Sequence, residues 1–178
     1  GNGSQFELSE ATDFRNLGMI TDAQFADLNQ DGWLDLVVVG DWMGIVTFMN
    51  QQGKLVREAW PGLEQSRGNW NSLRIVDLNG DTYPEILAGN MGQNNFFEAG
   101  MRLYVADFDK NGYLDQITAF KRGDKYYPIL DKDELIAQLP SVKKRVLYYK
   151  DYAKMSIEEL FDAELLEKEI VYEIDRLE

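Results

Sequence analysis

Three short stretches of this sequence repeat the same spacing of oxygen-bearing side chains, and this spacing constrains the fold more than any other feature. The stretches are DLNQDGWLD (27–35), DLNGDTYPE (77–85) and DFDKNGYLD (107–115), and we call them loop one, loop two and loop three. In each loop an acid or amide stands at positions one, three and five, an aromatic residue at position seven and an acid at position nine. The recurrence of one local pattern predicts a repeat fold.

Oxygen atoms supplied by alternate residues suit a hard cation. Ca²⁺ takes about six to eight oxygen ligands at roughly 2.3–2.6 Å, a backbone carbonyl among them, whereas Mg²⁺ tends to keep its waters. We therefore predict Ca²⁺ as the cofactor. The predicted ligands are Asp27, Asn29, Asp31, the Trp33 carbonyl and Asp35 in loop one; Asp77, Asn79, Asp81, the Tyr83 carbonyl and Glu85 in loop two; and Asp107, Asp109, Asn111, the Tyr113 carbonyl and Asp115 in loop three.

Two other interpretations compete with calcium loops of this kind. Polar turns held by Asx-type hydrogen bonds need no metal, and they remain open as an alternative. A helix–loop–helix calcium hand requires a Glu at the twelfth position, where this chain has Val38, Ala88 and Thr118. Strand-like residues also follow each loop, so the helical interpretation is rejected.

Position six separates loop two from the others. Gly32 and Gly112 allow a sharp turn there, whereas loop two has Thr82. A β-branched residue resists positive φ, so we expect this site to be distorted, weaker or empty.

The pattern around the loops predicts strands, and the pattern after residue 130 predicts helices. MITDAQFADL alternates into loop one, and the β-branched run LDLVVVGDW leaves it. Asp131 with Glu134 and Ser156 with Glu159 have the spacing of capping boxes. We predict one amphipathic helix in SVKKRVLYYKDYAKM, after Pro140, and another in SIEELFDAELLEKE. The predicted organisation is β-repeats over residues 1–130, a helical insertion over 131–168, and the start of a further strand, cut short, over 169–178.

Composition excludes several classes of function. The net charge is -13, which argues against nucleic-acid and anionic-membrane partners because phosphate contacts need clustered Lys and Arg. The chain contains no Cys and no His, which removes disulfides, thiolate catalysis and the usual zinc sites. No apolar run is long enough to span a bilayer.

The segments FADLNQDGWLDLVVVGDWMGIVTFMNQQGKL and RLYVADFDKNGYLDQITAF resemble FG-GAP/VCBS-type calcium-loop repeats of integrin-α-like β-propellers. The chain is also similar to large secreted or lipid-anchored surface proteins of Bacteroidetes-type bacteria, including their helical insertions. The resemblance implies a mainly β fold, a partial β-propeller of about three blades of antiparallel strands with a helical insertion near the C-terminus. It also implies an extracytoplasmic location: secreted, periplasmic or on the outer cell surface.

The function expected from this resemblance is a calcium-binding scaffold or binding module, without catalytic activity, for a protein or glycan partner. The alternative is a calcium-dependent polysaccharide lyase or glycosidase, for which the residues supply many acids but no His or Cys base. Open sheet edges predict possible self-association. The helical insertion, with its YYKDYAKM aromatics and charges, is a third candidate for docking a partner, although packing on its own sheet explains it as well.

Overall fold

The computed structural model describes residues 14–92, 100–166 and 170–174. The chain divides into two compact units, the first ending at Asn90 and the second beginning at Met91. The polar, glycine-rich stretch GNMGQNN (89–95), whose sequence is compatible with a recognition loop or a turn, lies partly outside the described residues, as do the ends of the predicted last strand.

The first unit is an antiparallel sheet of six strands. These are β1 (Met19–Ala26), β2 (Asp35–Met43), β3 (Val46–Gln51), β4 (Lys54–Glu58), β5 (Gly68–Val76) and β6 (Glu85–Asn90). The strands β1 to β4 pair in chain order. β5 pairs with β6 along its length and joins the end of β2 at Asp41 and Met43. The first unit thus contains a four-stranded repeat followed by a two-stranded one.

The core of the first unit lies on both faces of β2. Val37 and Val39 pack with Leu73 on one face, and Val38 packs with Phe48 on the other. Burying such a side chain contributes about 1.5–3 kcal/mol, and β-branched residues suit a strand that is covered on both sides. The uninterrupted apolar run after loop one is explained by this double burial.

The second unit is a four-stranded antiparallel sheet in the order β10–β7–β8–β9. Its strands are β7 (Met101–Ala106), β8 (Asp115–Arg122), β9 (Lys125–Pro128) and β10 (Ile170–Ile174). β10 pairs with β7, and Glu173 on β10 accepts hydrogen bonds from Arg102 (3.0 Å) and from the Tyr126 hydroxyl (2.7 Å). The Arg102 guanidinium also lies 4.0 Å from the centre of the Tyr126 ring. Side chains of β7 and β9 therefore hold β10 in place through Glu173.

The segment between β9 and β10 is helical but broken into short pieces. They are α1 (Lys132–Gln138), a 3₁₀ helix (Pro140–Lys144), α2 (Tyr149–Tyr152), α3 (Ile157–Leu160) and α4 (Ala163–Leu166). The capping box predicted at Asp131 is present, with its carboxylate accepting from the Asp133 and Glu134 amides and Glu134 accepting from the Asp131 amide. At Ser156 the amide donates to Glu159 at 2.7 Å.

The two longer helices predicted from the sequence are replaced by these pieces because the segment packs directly on the sheet. Leu135, Leu139, Val142, Val146, Ile157 and Leu160 are all buried in one core with Ile117, Ala119 and Tyr126 of the sheet. Tyr148 has an extended backbone, with φ of -121° and ψ of 145°, so helical geometry stops before α2. The β-branched and aromatic residues of this stretch have a low propensity for a continuous helix, so the burial of its apolar side chains against the sheet decides the backbone path.

The predicted fold class is confirmed: the protein is mainly β, with two antiparallel sheets consistent with a partial propeller and a small helical part towards the C-terminus. Among the described helices none has the length and apolar character needed to cross a membrane.

Candidate metal centre

Each of the three loops joins a pair of neighbouring antiparallel strands at the same place. Loop one connects β1 to β2, loop two connects β5 to β6, and loop three connects β7 to β8. The acid at position nine is paired in register with the residue just before position one: Ala26 with Asp35, Val76 with Glu85 and Ala106 with Asp115. The strand ladders therefore fix both ends of every loop, and the eight residues between the paired positions must turn within a narrow gap.

The turn is made by two residues with positive φ in every loop, at positions four and six. The values are 62° and 86° for Gln30 and Gly32, 81° and 75° for Gly80 and Thr82, and 62° and 91° for Lys110 and Gly112. The sequence indicated position six but not position four. Thr82 adopts the conformation that a β-branched residue disfavours, so loop two keeps the common backbone path at a cost of about 1–2 kcal/mol.

The acid at position one organises the turn. The two Asp27 oxygens accept the amides of Asp31 (3.2 Å) and Gly32 (2.9 Å). Asp107 accepts those of Asn111 and Gly112, both at 2.9 Å. Asp77 accepts the amides of positions four and six, Gly80 at 2.7 Å and Thr82 at 2.9 Å. A carboxylate at position one is thus used by the fold itself, whether or not it also meets a cation.

The acid at position nine of loop one is a buried connection. Asp35 is 0% exposed, and its two oxygens accept the backbone amides of Leu28 (2.9 Å) and Asn50 (2.8 Å). The Asn50 side chain in turn donates to the Leu34 carbonyl at 2.9 Å and accepts from Gly53 at 2.7 Å. Loop one and the β3–β4 turn are joined through Asp35 and Asn50.

In loops one and two the side-chain amides of Asn29 and Asn79 donate hydrogen bonds to the loop carboxylates. In loop one the Asn29 side chain donates to Asp31 at 2.9 Å. In loop two the Asn79 side chain donates both to Asp81 (3.0 Å) and to Glu85 (2.8 Å). With the backbone amides included, every carboxylate oxygen of these two loops accepts a hydrogen bond.

Loop three has an acid, Asp109, where the other loops have these amides. A carboxylate cannot donate, and one Asp109 oxygen accepts only the Asn111 amide at 3.1 Å. Oxygen atoms of Asp107, Asp109 and Asp115 all lie within 4.8 Å of one another, and this is the one such group of three acids among the residues that the structure describes. The sequence-predicted carboxylates of loop three are therefore brought together.

The spacing in loop three fits a calcium ion. Ligands on opposite sides of Ca²⁺, each at about 2.3–2.6 Å, lie about 4.6–5.2 Å apart, and three oxygens within 4.8 Å can share one ion. The Asn111 side-chain oxygen, which accepts from the Tyr113 amide at 2.8 Å, belongs to the same turn. The donor set of carboxylate and amide oxygens is that of a hard cation.

The local charge is also suited to a cation. Burial raises the pKa of Asp115 above its ordinary value, and the neighbouring charges of Asp109 and Asp107 raise it further. The amide of Phe108, which donates to Asp115 at 3.0 Å, opposes the rise without cancelling it. Three carboxylates held this close repel one another, and a divalent ion would remove that repulsion.

Loops one and two touch each other in the first unit. The Gln30 side chain, at position four of loop one, donates to the hydroxyl of Thr82, at position six of loop two, at 2.9 Å. These are the non-glycine residues with positive φ in the two loops. Sequence reasoning missed Gln30 and Asn50; no local signal marks Gln30, and Asn50 is visible only as the start of a polar turn. The roles of the Trp33, Tyr83 and Tyr113 carbonyls remain predictions.

Comparison with known proteins agrees with this geometry. Residues 27–88, from the start of loop one to the strand after loop two, match the model of the FG-GAP-like repeat. This part of the chain carries an FG-GAP-like repeat.

The chain is also similar to integrin alpha-6 of Gallus gallus, with 30% identity over 121 residues that cover 58% of this chain. The chain spans about a tenth of that relative's length, since the match covers 10% of it. No solved structure gives a significant match. The recognition made from the loop motif is confirmed.

Proposed function

We propose that this chain is a calcium-stabilised binding or scaffold module of an extracytoplasmic protein. The observation that carries the proposal is the cluster of Asp107, Asp109 and Asp115 in loop three, within a chain whose loops one and two match the FG-GAP-like repeat. The partner would be a protein or a glycan, and the ion would act on the fold rather than on a substrate.

In this proposal loop three is the first site to fill. Asp107, Asp109, Asn111, Asp115 and the Tyr113 carbonyl would hold the ion, which would offset the repulsion between the three acids. Binding to the folded state alone stabilises it by RT ln(1 + [Ca²⁺]/Kd). For a Kd of about 0.1–1 mM, typical of extracellular calcium modules, about 10 mM Ca²⁺ would contribute about 1.4–2.7 kcal/mol.

Loops one and two would fill after loop three. A cation there requires the Asn29 or Asn79 amide group to turn its oxygen away from the backbone amide that it accepts. The turn breaks two hydrogen bonds in loop one and three in loop two. Each bond to a charged group contributes about 1.5–3 kcal/mol, so loop two is expected to be the weakest site. The sequence predicted weak binding in loop two from Thr82, and the hydrogen bonds that Asn79 donates to Asp81 and Glu85 are a stronger reason for it.

An extracytoplasmic location follows from the same reasoning. Sites of this affinity fill where free calcium is near millimolar, as it is outside cells. The similarity to integrin alpha-6 points the same way.

Binding, rather than catalysis, is the proposed activity because the loop acids accept hydrogen bonds that hold the loops together. Asp27, Asp77 and Asp107 each hold two backbone amides, and Asp35 closes a buried connection. A general acid or base needs a side chain that can reach a substrate and change its protonation, and these carboxylates are poorly placed to do so.

The test is calorimetric titration of Ca²⁺ into the EGTA-treated protein, with the variant Asp109→Asn. This substitution removes one charge and gives loop three an amide at position three, as in loop one. Asp124→Asn is the matched control, since Asp124 is an exposed acid at the β8–β9 turn of the same unit. We expect the strongest Ca²⁺ binding to be lost in Asp109→Asn and kept in Asp124→Asn. Equal affinity in the two variants would refute the assignment to loop three, and no heat or thermal shift in the wild type would refute the calcium proposal.

A further inference from the structure

Three large apolar side chains that follow one another in the helical segment lie on its surface. Leu147, Tyr148 and Tyr149 are 74%, 61% and 52% exposed, at the junction of the 3₁₀ helix and α2. Val146 and Tyr152, on either side of them, are buried in the core of the second unit. Single exposed apolar side chains are common on proteins, whereas adjacent ones mark interaction surfaces. We call Leu147, Tyr148 and Tyr149 the apolar triplet.

Contacts behind the apolar triplet anchor it to the rest of the unit. The Tyr152 hydroxyl donates to the Leu130 carbonyl at 2.6 Å, which ties α2 to the chain that follows β9. The Tyr149 hydroxyl donates to the Asp133 carboxylate, and the Lys132 ammonium lies over the Tyr149 ring, 4.7 Å from its centre. An ordered side chain loses little conformational entropy on binding, and tyrosine is enriched among the residues that dominate binding at protein interfaces. The triplet is therefore preorganised for contact with a partner.

The chain around the triplet is basic, although the protein as a whole is acidic. Residues 141–155 contain five bases and one acid, a net charge of +4, in a chain whose net charge is -13. The bases are Lys143, Lys144, Arg145, Lys150 and Lys154, and the acid is Asp151. Arg145 is paired with Asp162 at 2.6 Å, whereas the four lysines are exposed and form no ion pair with a carboxylate in the described part of the chain. Positive charges on both sides of the triplet are thus available to a partner.

Negative charge lies on one side of the triplet, beside Tyr149. It comes from three acids at the start of α1, which are Asp131, Asp133 and Glu134, and the hydrogen bond to Asp133 together with these charges raises the pKa of Tyr149 to about 12. Beside Tyr148 the charge is positive, since the Lys150 ammonium lies over its ring, 5.5 Å from the centre. This uneven surface suits a partner whose negative charges are discrete, which can meet the lysines and avoid α1.

We propose that the apolar triplet and the lysines around it dock an acidic segment of a partner protein that carries aromatic or aliphatic side chains among its acids. The apolar side chains of the partner pack on Leu147 and Tyr148, and its carboxylates pair with Lys150 and with the lysines of the 3₁₀ helix. This inference rests on the proposed binding function and names the partner as a protein. It requires no ion in any of the three loops.

A glycan and a membrane fit this surface less well. A sugar stacks on an open ring face, but Lys132 lies over the Tyr149 ring and Lys150 over the Tyr148 ring. Leu147, the most exposed of the three, has no ring. A uniformly anionic membrane would meet the acids of α1 as well as the lysines, and it would repel a chain with a net charge of -13.

The experiment is selection of random peptides displayed on phage against the full chain in EGTA, followed by fluorescence anisotropy with the most enriched peptide. The variants are Leu147→Ser and Lys150→Gln. Leu78→Ser is the matched control for the first, since Leu78 is 62% exposed in loop two. Lys54→Gln is the control for the second, since Lys54 is exposed at the start of β4. Polygalacturonate and phosphatidylserine vesicles serve as competitors, and thermal unfolding is measured for each variant.

We expect the enriched peptides to be acidic and to contain aromatic or aliphatic residues. Leu147→Ser should weaken binding about tenfold, the effect of losing one buried apolar side chain. Lys150→Gln should weaken it about two- to fivefold, as for an exposed ion pair, and should reduce the loss of affinity at high salt. Both variants should unfold at the wild-type temperature because both side chains are exposed, and the two controls should bind within about twofold of the wild type.

Several results would overturn the inference: no enrichment, enrichment of neutral or basic peptides, or wild-type affinity in both triplet variants. Displacement of the peptide by polygalacturonate would instead indicate a glycan, and displacement by the vesicles a membrane surface. Calcium stabilisation that persists without peptide binding would refute the docking surface alone. Peptide binding without calcium stabilisation would refute the calcium site alone.

Discussion

The carboxylate of Asp35 offers the sharpest test of how these loops are held. It is fully buried, and its oxygens accept the amides of Leu28 and Asn50 at 2.9 and 2.8 Å. In Asp35→Ala both amides lose their acceptor inside the protein. An unsatisfied buried donor costs about 1–3 kcal/mol, so the substitution should destabilise the first unit by about 2–6 kcal/mol. In Asp35→Asn the amide oxygen can satisfy one donor while its NH₂ group faces the other, and we expect roughly half that loss.

The assay is urea unfolding followed by tryptophan fluorescence. All four tryptophans, Trp33, Trp42, Trp60 and Trp70, lie in the first unit, so the signal reports that unit. Measurement in EGTA removes any contribution from calcium. This matters because Asp35 was predicted from the sequence as a metal ligand.

Asp31→Asn is the matched control. Asp31 is an exposed acid of the same loop, and it accepts the Trp33 amide at 2.8 Å and the Asn29 side chain at 2.9 Å. Hydrogen bonds that water can replace contribute little, so we expect a loss below about 1 kcal/mol. A free energy of unfolding for Asp35→Ala within about 0.5 kcal/mol of the control would refute the buried connection.

Three further predictions use the same material. Gly112→Ala should destabilise loop three by about 1 kcal/mol through its positive φ alone, since a methyl group there meets no other atom within 4 Å. Thr82→Gly should stabilise loop two by up to about 1 kcal/mol because it relieves the positive φ of Thr82. Chemical denaturation measures both free energies of unfolding, and two changes of the same sign would contradict the strain argument. Burial raises the pKa of Tyr152 from 10.0 to about 12, so the unfolded chain loses this proton first and stability should fall between pH 10 and about 12; Tyr152→Phe should flatten that fall, and an unchanged pH profile would refute it. Calcium that binds loop three should shift the calorimetric transition more than the tryptophan fluorescence transition, and an equal shift in both would place the first ion in loop one or two.

The sequence predicted the strands and loops well because their signals are local. A period-two pattern before each loop and a β-branched run after loop one are sufficient to place β1 and β2. The helical segment was harder, since its residues follow the surface of the sheet and burial of Val142 and Val146 overrides helical spacing. The candidate site was predicted as three loops of one kind, with loop two set apart only by Thr82. Their difference arises from contacts that spacing does not reveal: Asn79 donating to two acids, and the Asn50 amide meeting Asp35 from another strand.

Strand β10 gives the second unit an unusual order of assembly. It comes after the whole helical segment, yet it pairs with β7, the first strand of that sheet, from Ile170 opposite Val105 to Ile174 opposite Met101. Pairings between residues so distant along the chain form slowly, because the entropy of closing a long loop is lost before the stabilising contacts form. During synthesis, β7 must wait with one edge unpaired until the residues around Glu173 have emerged. Until then the unpaired edge of β7 can pair with strands of other chains, so the nascent chain is prone to aggregation at this edge.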